Sequence, residues 1–205
     1  MTQAIARKDE HAEANAHGWT DTIRQMVAAL ECDRDRLEEL TDEHRALVEA
    51  VDEAGGELET ARTASPDDAK VYALQGEYDD AEAALNDWKE VNGEELADLE
   101  AATKIDGDEM KDADAVRERI EESPLSVQVR SGWAAPGEEM VAEEFELLLS
   151  TGGPALRIMG ELDEHKQPSR AWLEYQDWGT PWTHHYVEDF SDTLLTFCQQ
   201  FYFGE

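Results

Sequence analysis

The sequence predicts an α+β protein: a long antiparallel helical hairpin of coiled-coil type, followed by a small β-α-β-β-α domain. Three observations carry this. A 3.5-residue apolar repeat runs through the first half. Short alternating segments appear only after Pro124. Twelve of the sixteen aromatic residues also follow that proline, while acids concentrate before it. Residues 1–122 hold 36 acids and 13 bases, and residues 123–205 hold 14 and 4.

The expected layout is a disordered tail at 1–18, the hairpin at 19–104, a linker with a short helix at 105–123, and the α+β domain at 124–205. The tail is polar and small in residue type. Thr20 or Asp21 would cap the first hairpin helix. Its seam positions are Ile23, Met26, Leu30, Asp33, Leu37, Leu40, His44, Leu47, Val51, Ala54, Leu58 and Ala61. Only Asp33 and His44 break the apolar pattern. Such a helix would be roughly 60 Å long, with Gly55-Gly56 as a point of kinking or fraying. In "TASPDD", Ser65 reads as an N-cap, Pro66 as N1 and Asp67-Asp68 as an acidic first turn. A second seam follows at Val71, Leu74, Tyr78, Ala81, Leu85 and Trp88, and resumes at Leu96 and Leu99. "KIDGDEMKD" reads as a break, after which Asp112 caps a helix running to Ile120. A two-helix hairpin has a narrow core, so a homodimer forming a four-helix bundle is one expected way to complete it.

In the second half, "PLSVQVRSGW" alternates as a strand with Leu125, Val127 and Val129 inward. "GEEMVAEEFELLLS" reads as a helix presenting Met140, Val141, Phe145, Leu148 and Leu149, closed by Gly152-Gly153-Pro154. "ALRIMGEL" and "RAWLEYQDW" read as strands joined across "DEHKQPS". An amphipathic helix carrying Phe190, Leu194, Phe197, Cys198 and Phe201 closes the chain.

Charge sets the function classes. Fifty acids against seventeen bases give a net charge of −33 and a pI near 4.2. This surface repels nucleic acid and anionic membrane and attracts basic proteins. Cys32 and Cys198 have no metal or redox spacing, which suits a reducing compartment. The opening residues lack the apolar core of a signal peptide, so the expected setting is the cytoplasm. No cofactor or metal is expected.

"YQDWGTPWTHHY" could seat Asp177 with His184 or His185 as an acid–base or metal pair, with His165 or Cys198 as a further ligand. Adjacent histidines on an extended segment point to opposite faces, however. The preferred reading is a sheet corner at Gly179-Thr180-Pro181, where Trp178, Trp182 and Tyr186 pack and can edge an interface. "STGGPA" has its glycines on the wrong side of a helix for a phosphate cradle. "DGDEMKD" lacks the glycine and glutamate that a calcium loop requires.

The acids of the hairpin are the main candidates. Asp33, Asp35, Glu38, Glu39, Asp42 and Glu43 crowd one stretch, and Asp79 and Asp80 open another. Like charges placed this way cost stability. Either recognition of a basic, nucleic-acid-binding groove or adaptation to high salt would offset that cost.

"PLSVQVRSGWAAPGEEM", "EFELLLSTGGPALRIMGELDEH" and "YQDWGTPWT…FYFGE" resemble an uncharacterised family common in bacteriophages, prophages and plasmids, and "MVAALECDRDRLEEL" is similar to its N-terminal half. The resemblance implies no catalytic residues. Its setting on mobile elements implies a non-enzymatic inhibitor of a host restriction or CRISPR nuclease that mimics DNA.

Overall fold

The computed structural model describes residues 2–66, 69–152 and 154–204, with side chains from Glu10 onward. It mixes helix and strand and divides into two compact units. One comprises residues 1–31 and 104–205, the other Cys32–Thr103.

The first unit opens with α1 (Thr2–Glu31). This replaces the disordered tail expected at 1–18. The segment is rich in Ala, the strongest helix former, and Ala12 and Ala16 are fully buried in line with Ile23, Met26 and Val27. Neither Thr20 nor Asp21 is a cap. Thr20 is buried inside the helix, and its hydroxyl donates to the Ala16 carbonyl at 2.9 Å. That back-bond satisfies the side chain without breaking the helix.

After residue 103 the unit continues with β1 (Lys104–Ile105), β2 (Asp108–Glu109) and α4 (Ala113–Glu121). The stretch expected to be a bare break is thus a small hairpin. Asp106 and Gly107 both have positive φ, 52° and 90°, and Ile105 pairs with Asp108. Asp-Gly favours such a two-residue turn, because its backbone twist matches that of the strands. The Asp112 carboxylate caps α4, accepting from the Ala115 N–H at 2.8 Å.

A five-stranded antiparallel meander follows: β3 (Ser126–Ser131), β4 (Ala142–Ser150), β5 (Ala155–Leu162), β6 (Pro168–Gln176) and β7 (Thr183–His185), in that spatial order. The expected helix over "GEEMVAEEFELLLS" is therefore a strand. Phe145, Leu147 and Leu149 alternate into the core, while Glu144, Glu146 and Leu148 face the other way. A short apolar run fits both periods, and here cross-strand pairing to β3 and β5 decides. "STGGP" accordingly links two strands and caps no helix. Gly152 supplies a φ of +106°, and Gly153 lies outside the described residues.

One face of the sheet carries the core. Leu147, Ile158, Leu173 and His185 form one cross-strand row, and Phe145, Gly160 and Ala171 another. α1 packs over β5 and β6, α5 (Ser191–Cys198) over β6 and against α1, and α4 packs on α1. Ile23, Met26, Val116, Ile120, Leu194 and Phe197 join the sheet residues in one buried cluster. Leu125, Val127 and Val129, expected inside, are 62%, 44% and 51% exposed. Their phase is right, since Val127 pairs with Leu147 and Val129 with Phe145. β3 is an edge strand beyond the helical layer.

The second unit is α2 (Arg34–Ala64) and α3 (Ala69–Ala102). The first helix expected from a cap at Thr20 or Asp21 through Ala61 is interrupted at Cys32–Asp33, so the 19–104 hairpin is corrected to these two helices. Asp33 is no seam residue. Its carboxylate caps α2, accepting from the Arg36 N–H at 3.0 Å. Replacing it by Ala should lower the stability of this unit by about 1 kcal/mol, readable as an earlier loss of helical circular dichroism in urea.

Contacts between the helices run in opposite senses. The Cys32 thiol meets the Leu99 carbonyl, Arg36 meets Glu95, Trp88 meets Glu43, and Arg62 meets Gln75. Leu40, Leu58, Val71, Leu74, Leu85 and Leu96 are buried. α2 passes through Gly55-Gly56 without a break. Gly55 makes room for the Tyr78 ring, whose Cε2 would lie 3.3 Å from an added Cβ. Ser65 closes α2, its N–H donating to the Ala61 carbonyl at 2.9 Å. The expected acidic turn Asp67-Asp68 lies outside the described residues.

Candidate functional site

The second unit concentrates the charge. Residues 32–103 hold 23 acids and 6 bases, a net of −17. Every described acid among them is exposed, because the seam takes the apolar positions and leaves carboxylates on the outer faces. A 31-residue helix is about 47 Å long, so the pair carries roughly one net negative charge per 3 Å of its length. B-DNA carries one per ~1.7 Å.

The eight acids singled out from the sequence do not form one patch. Asp35, Glu38, Glu39, Asp42 and Glu43 lie on the N-terminal part of α2, alongside the α3 segment holding Trp88 and Glu95. Asp79 and Asp80 lie where Tyr78 meets Gly55, roughly 15–20 Å further along by helical rise. The sequence groups them by composition, whereas the antiparallel register sets their neighbours.

Several of the eight have local tasks. Asp33 is the cap. Glu39 and Asp42 bind Arg36 and Arg45, each at 2.7 Å. Glu43 accepts from the Trp88 indole N–H at 2.9 Å, and the Trp88 ring stacks on His44 at 5.2 Å. Asp79 accepts from the Gln75 amide at 2.6 Å. Asp35, Glu38 and Asp80 are exposed.

Two groups show how acids and cations act on one another here. Glu95, hydrogen-bonded by Arg36, is held below the usual carboxylate range. The Tyr78 phenol is pushed up, first by the charge of Glu82 and then by its hydrogen bond to it, with Asp79 and Asp52 adding.

The other candidate, "YQDWGTPWTHHY", resolves into separate parts. A turn closes with the Thr180 N–H donating to the Asp177 carbonyl at 3.1 Å, and Gly179 takes φ +77°. Of the three aromatics expected to pack at this corner, only Trp182 does so. Trp178 and Tyr186 are 72% and 78% exposed. His184 is exposed and His185 buried, on opposite faces of β7. The Asp177 carboxylate accepts from the Trp178 N–H at 2.7 Å. Among the described residues, no group of three or more His, Cys, Asp or Glu could hold a metal ion. The Cys198 thiol is buried, which pushes its pKa far up.

Trp182 has a partner that sequence reading missed. On the sheet face opposite the core, Arg157 is clamped by Glu146 and Glu174, each at 2.7 Å, and lies 4.1 Å from the Trp182 ring centroid. The Trp172 indole N–H donates to Glu174 at 3.0 Å. The only sequence signal was an Arg and two Glu at outward-facing positions of neighbouring strands. All three side chains are about three-quarters or more buried. Arg157→Ala would leave two carboxylates close together without their cation, at a cost of about 2 kcal/mol. A thermal melt should show a loss of several degrees.

His185 gives a pH prediction. Its ring meets the His17 ring edge-on at 4.7 Å, and its Nε2 is buried without a hydrogen-bond partner. Burial, then the charge of His17, holds its pKa below 6.5 against the opposing pull of Glu13, with His184 lowering it further. The unfolded chain then takes up the proton more readily than the folded one. Stability is unaffected above pH 6.5 and falls as the pH drops below it. Melts between pH 7 and 5.5 should show this slope, and His185→Gln should flatten it.

Compared with family models, curated proteins and solved structures, the chain matches none of them. No described helix is long and apolar enough to cross a membrane.

Proposed function

We propose that the protein is a non-enzymatic binding protein. Its acidic helical pair occupies a basic, nucleic-acid-binding groove, as in an inhibitor of a restriction or CRISPR nuclease carried by a mobile element. The observation that supports this reading is the density of exposed carboxylate along α2 and α3, within a factor of about two of the charge density of B-DNA. Side chains on a helix surface stand about 5–6 Å apart, so Asp35, Glu38 or Glu39, and Asp42 make a regular track. A groove lined by Arg and Lys would release its counterions to that track as it does to phosphates. The test is binding of the purified chain to a panel of restriction and CRISPR nucleases, each free and loaded with its nucleic acid. Binding to a free enzyme but not to the loaded one supports the reading, and equal binding to both contradicts it.

A second reading has its own observation. Acids outnumber bases in the other unit too, 27 to 11, and the whole chain has six Lys. A structural or adaptor protein adapted to high salt would show this. It requires a fold that loosens as salt falls below about molar, where the Debye length exceeds ~3 Å. Melts that do not change between low and high salt remove this reading.

A further inference from the structure

Eleven large hydrophobic side chains are exposed among the described residues, and seven of them belong to β3, the segments flanking it and the C-terminal tail. Leu125, Val127 and Val129 belong to β3 and its approach. Trp133, Met140 and Val141 lie in the connection to β4, and Tyr202 in the C-terminal tail. A groove of about 600 Å³ joins Val127, Val129, Met140, Val141 and Tyr202. β3 pairs on one side only, with β4, so every second backbone N–H and C=O along it points away from the sheet.

The groove is also lined by Glu139 and Lys166, but β3 and the start of its connection to β4 are as unusual in charge as in apolarity. Residues 123–137 contain no acid, the longest such run in a chain with fifty. Their single charged group, Arg130, is held by Glu144. Proteins ordinarily guard an exposed edge strand with charge or a bulge, and here both are confined to the end of β3, at Arg130 and the register shift between Arg130 and Ser131. Other occupants fit less well. A basic partner would find no carboxylate within this run to pair with.

We infer that β3 is the site of self-association. A second copy pairs its own β3 antiparallel to the first across a two-fold axis, joining two five-stranded sheets into one. An antiparallel edge is its own complement, as a two-fold interface requires. Two chains that each carry −33 can meet here because neither presents acids along the meeting strand. The area is sufficient: Trp133 and Tyr202 offer roughly 150–250 Å² each. With the five aliphatic side chains, the strip reaches the order of the ~800 Å² per partner that stable interfaces bury. This inference does not depend on what the acidic helices bind.

Sedimentation equilibrium of the full chain tests it, run in about 1 M salt, where a screening length of ~3 Å keeps net charge from masking association. The expected mass is twice 23.1 kDa. Val127→Lys with Val129→Lys should give a folded monomer, while Tyr72→Lys with Val91→Lys, on α3, should remain dimeric. Hydrogen exchange on the unaltered protein is the second readout, with slower exchange of amides 126–131 as concentration rises, and it decides the matter if the β3 variant fails to fold. A chain that stays monomeric, a dimer that survives the β3 substitutions, or β3 exchange independent of concentration would each overturn the inference.

Discussion

Replacing Asp35, Glu38, Glu39, Asp42 and Glu43 by their amides is expected to weaken binding to a basic groove by at least about 100-fold and to flatten its salt dependence. Each carboxylate that stands in for a phosphate contributes roughly one to the slope of log affinity against log salt. Loss of five should therefore lower the slope by several. The fold should survive. All five side chains are outside the seam, and Arg36 keeps Glu95 at 3.0 Å when Glu39 is neutralised. Relief of like-charge repulsion within one helix face even favours folding slightly. Amides at Asp79 and Asp80 form a second, separate test. They lie outside the first patch, so their effect on the slope should be smaller and roughly additive. Isothermal titration at three salt concentrations, with circular dichroism to verify folding, reads both outcomes.

Gly160→Val is expected to have the largest effect on folding, a loss of more than about 3 kcal/mol. Gly160 sits on β5 between Phe145 of β4 and Ala171 of β6, on the core face. A Cβ there would fall within the Phe145 ring and against the Arg170 backbone carbonyl. The ring is fully buried and packs on Phe203 at 4.5 Å, so it has nowhere to move, and a backbone oxygen cannot rotate away. Because the clash lies in the first unit, the β-sheet signal should fail while the helical signal of residues 34–102 largely remains. Chemical denaturation followed by both Trp fluorescence and circular dichroism separates the two.

The mixture of helix and strand was legible because two different periods are written in the chain. The 3.5 repeat marks Leu40, Leu58, Val71, Leu74, Leu85 and Leu96, all of them buried. Period two marks "ALRIMGEL" and "RAWLEYQDW", which are β5 and β6. What failed did so for identifiable reasons. Asp33 satisfies both a seam spacing and a capping position, and the local hydrogen bond to Arg36 wins. Phe145, Leu148 and Leu149 fit a helical face as well as a strand, and only pairing with distant residues settles which. The N-terminal segment looked too polar to fold, yet its alanines at positions 12 and 16 are small enough to be wholly buried.

The candidate sites divide in the same way. The acidity of the helices is a property of composition and was visible at once. Its division into two patches depends on which part of α3 lies beside which part of α2, and spacing along the chain does not carry that. The clamp around Arg157 draws on three strands and a loop, at separations of 11, 17 and 25 residues. Nothing local announces it. The opposite placement of His184 and His185, by contrast, follows directly from the alternation of an extended chain.

The central claim is that the acidic helices take the place of a nucleic acid, and competition measures it most directly. A nuclease that binds the chain is titrated with its cognate nucleic acid, unlabelled, while the bound fraction of the chain is followed. Complete displacement is expected, with an apparent affinity of the chain that falls in proportion to nucleic acid concentration. Undiminished binding at saturating nucleic acid would contradict it.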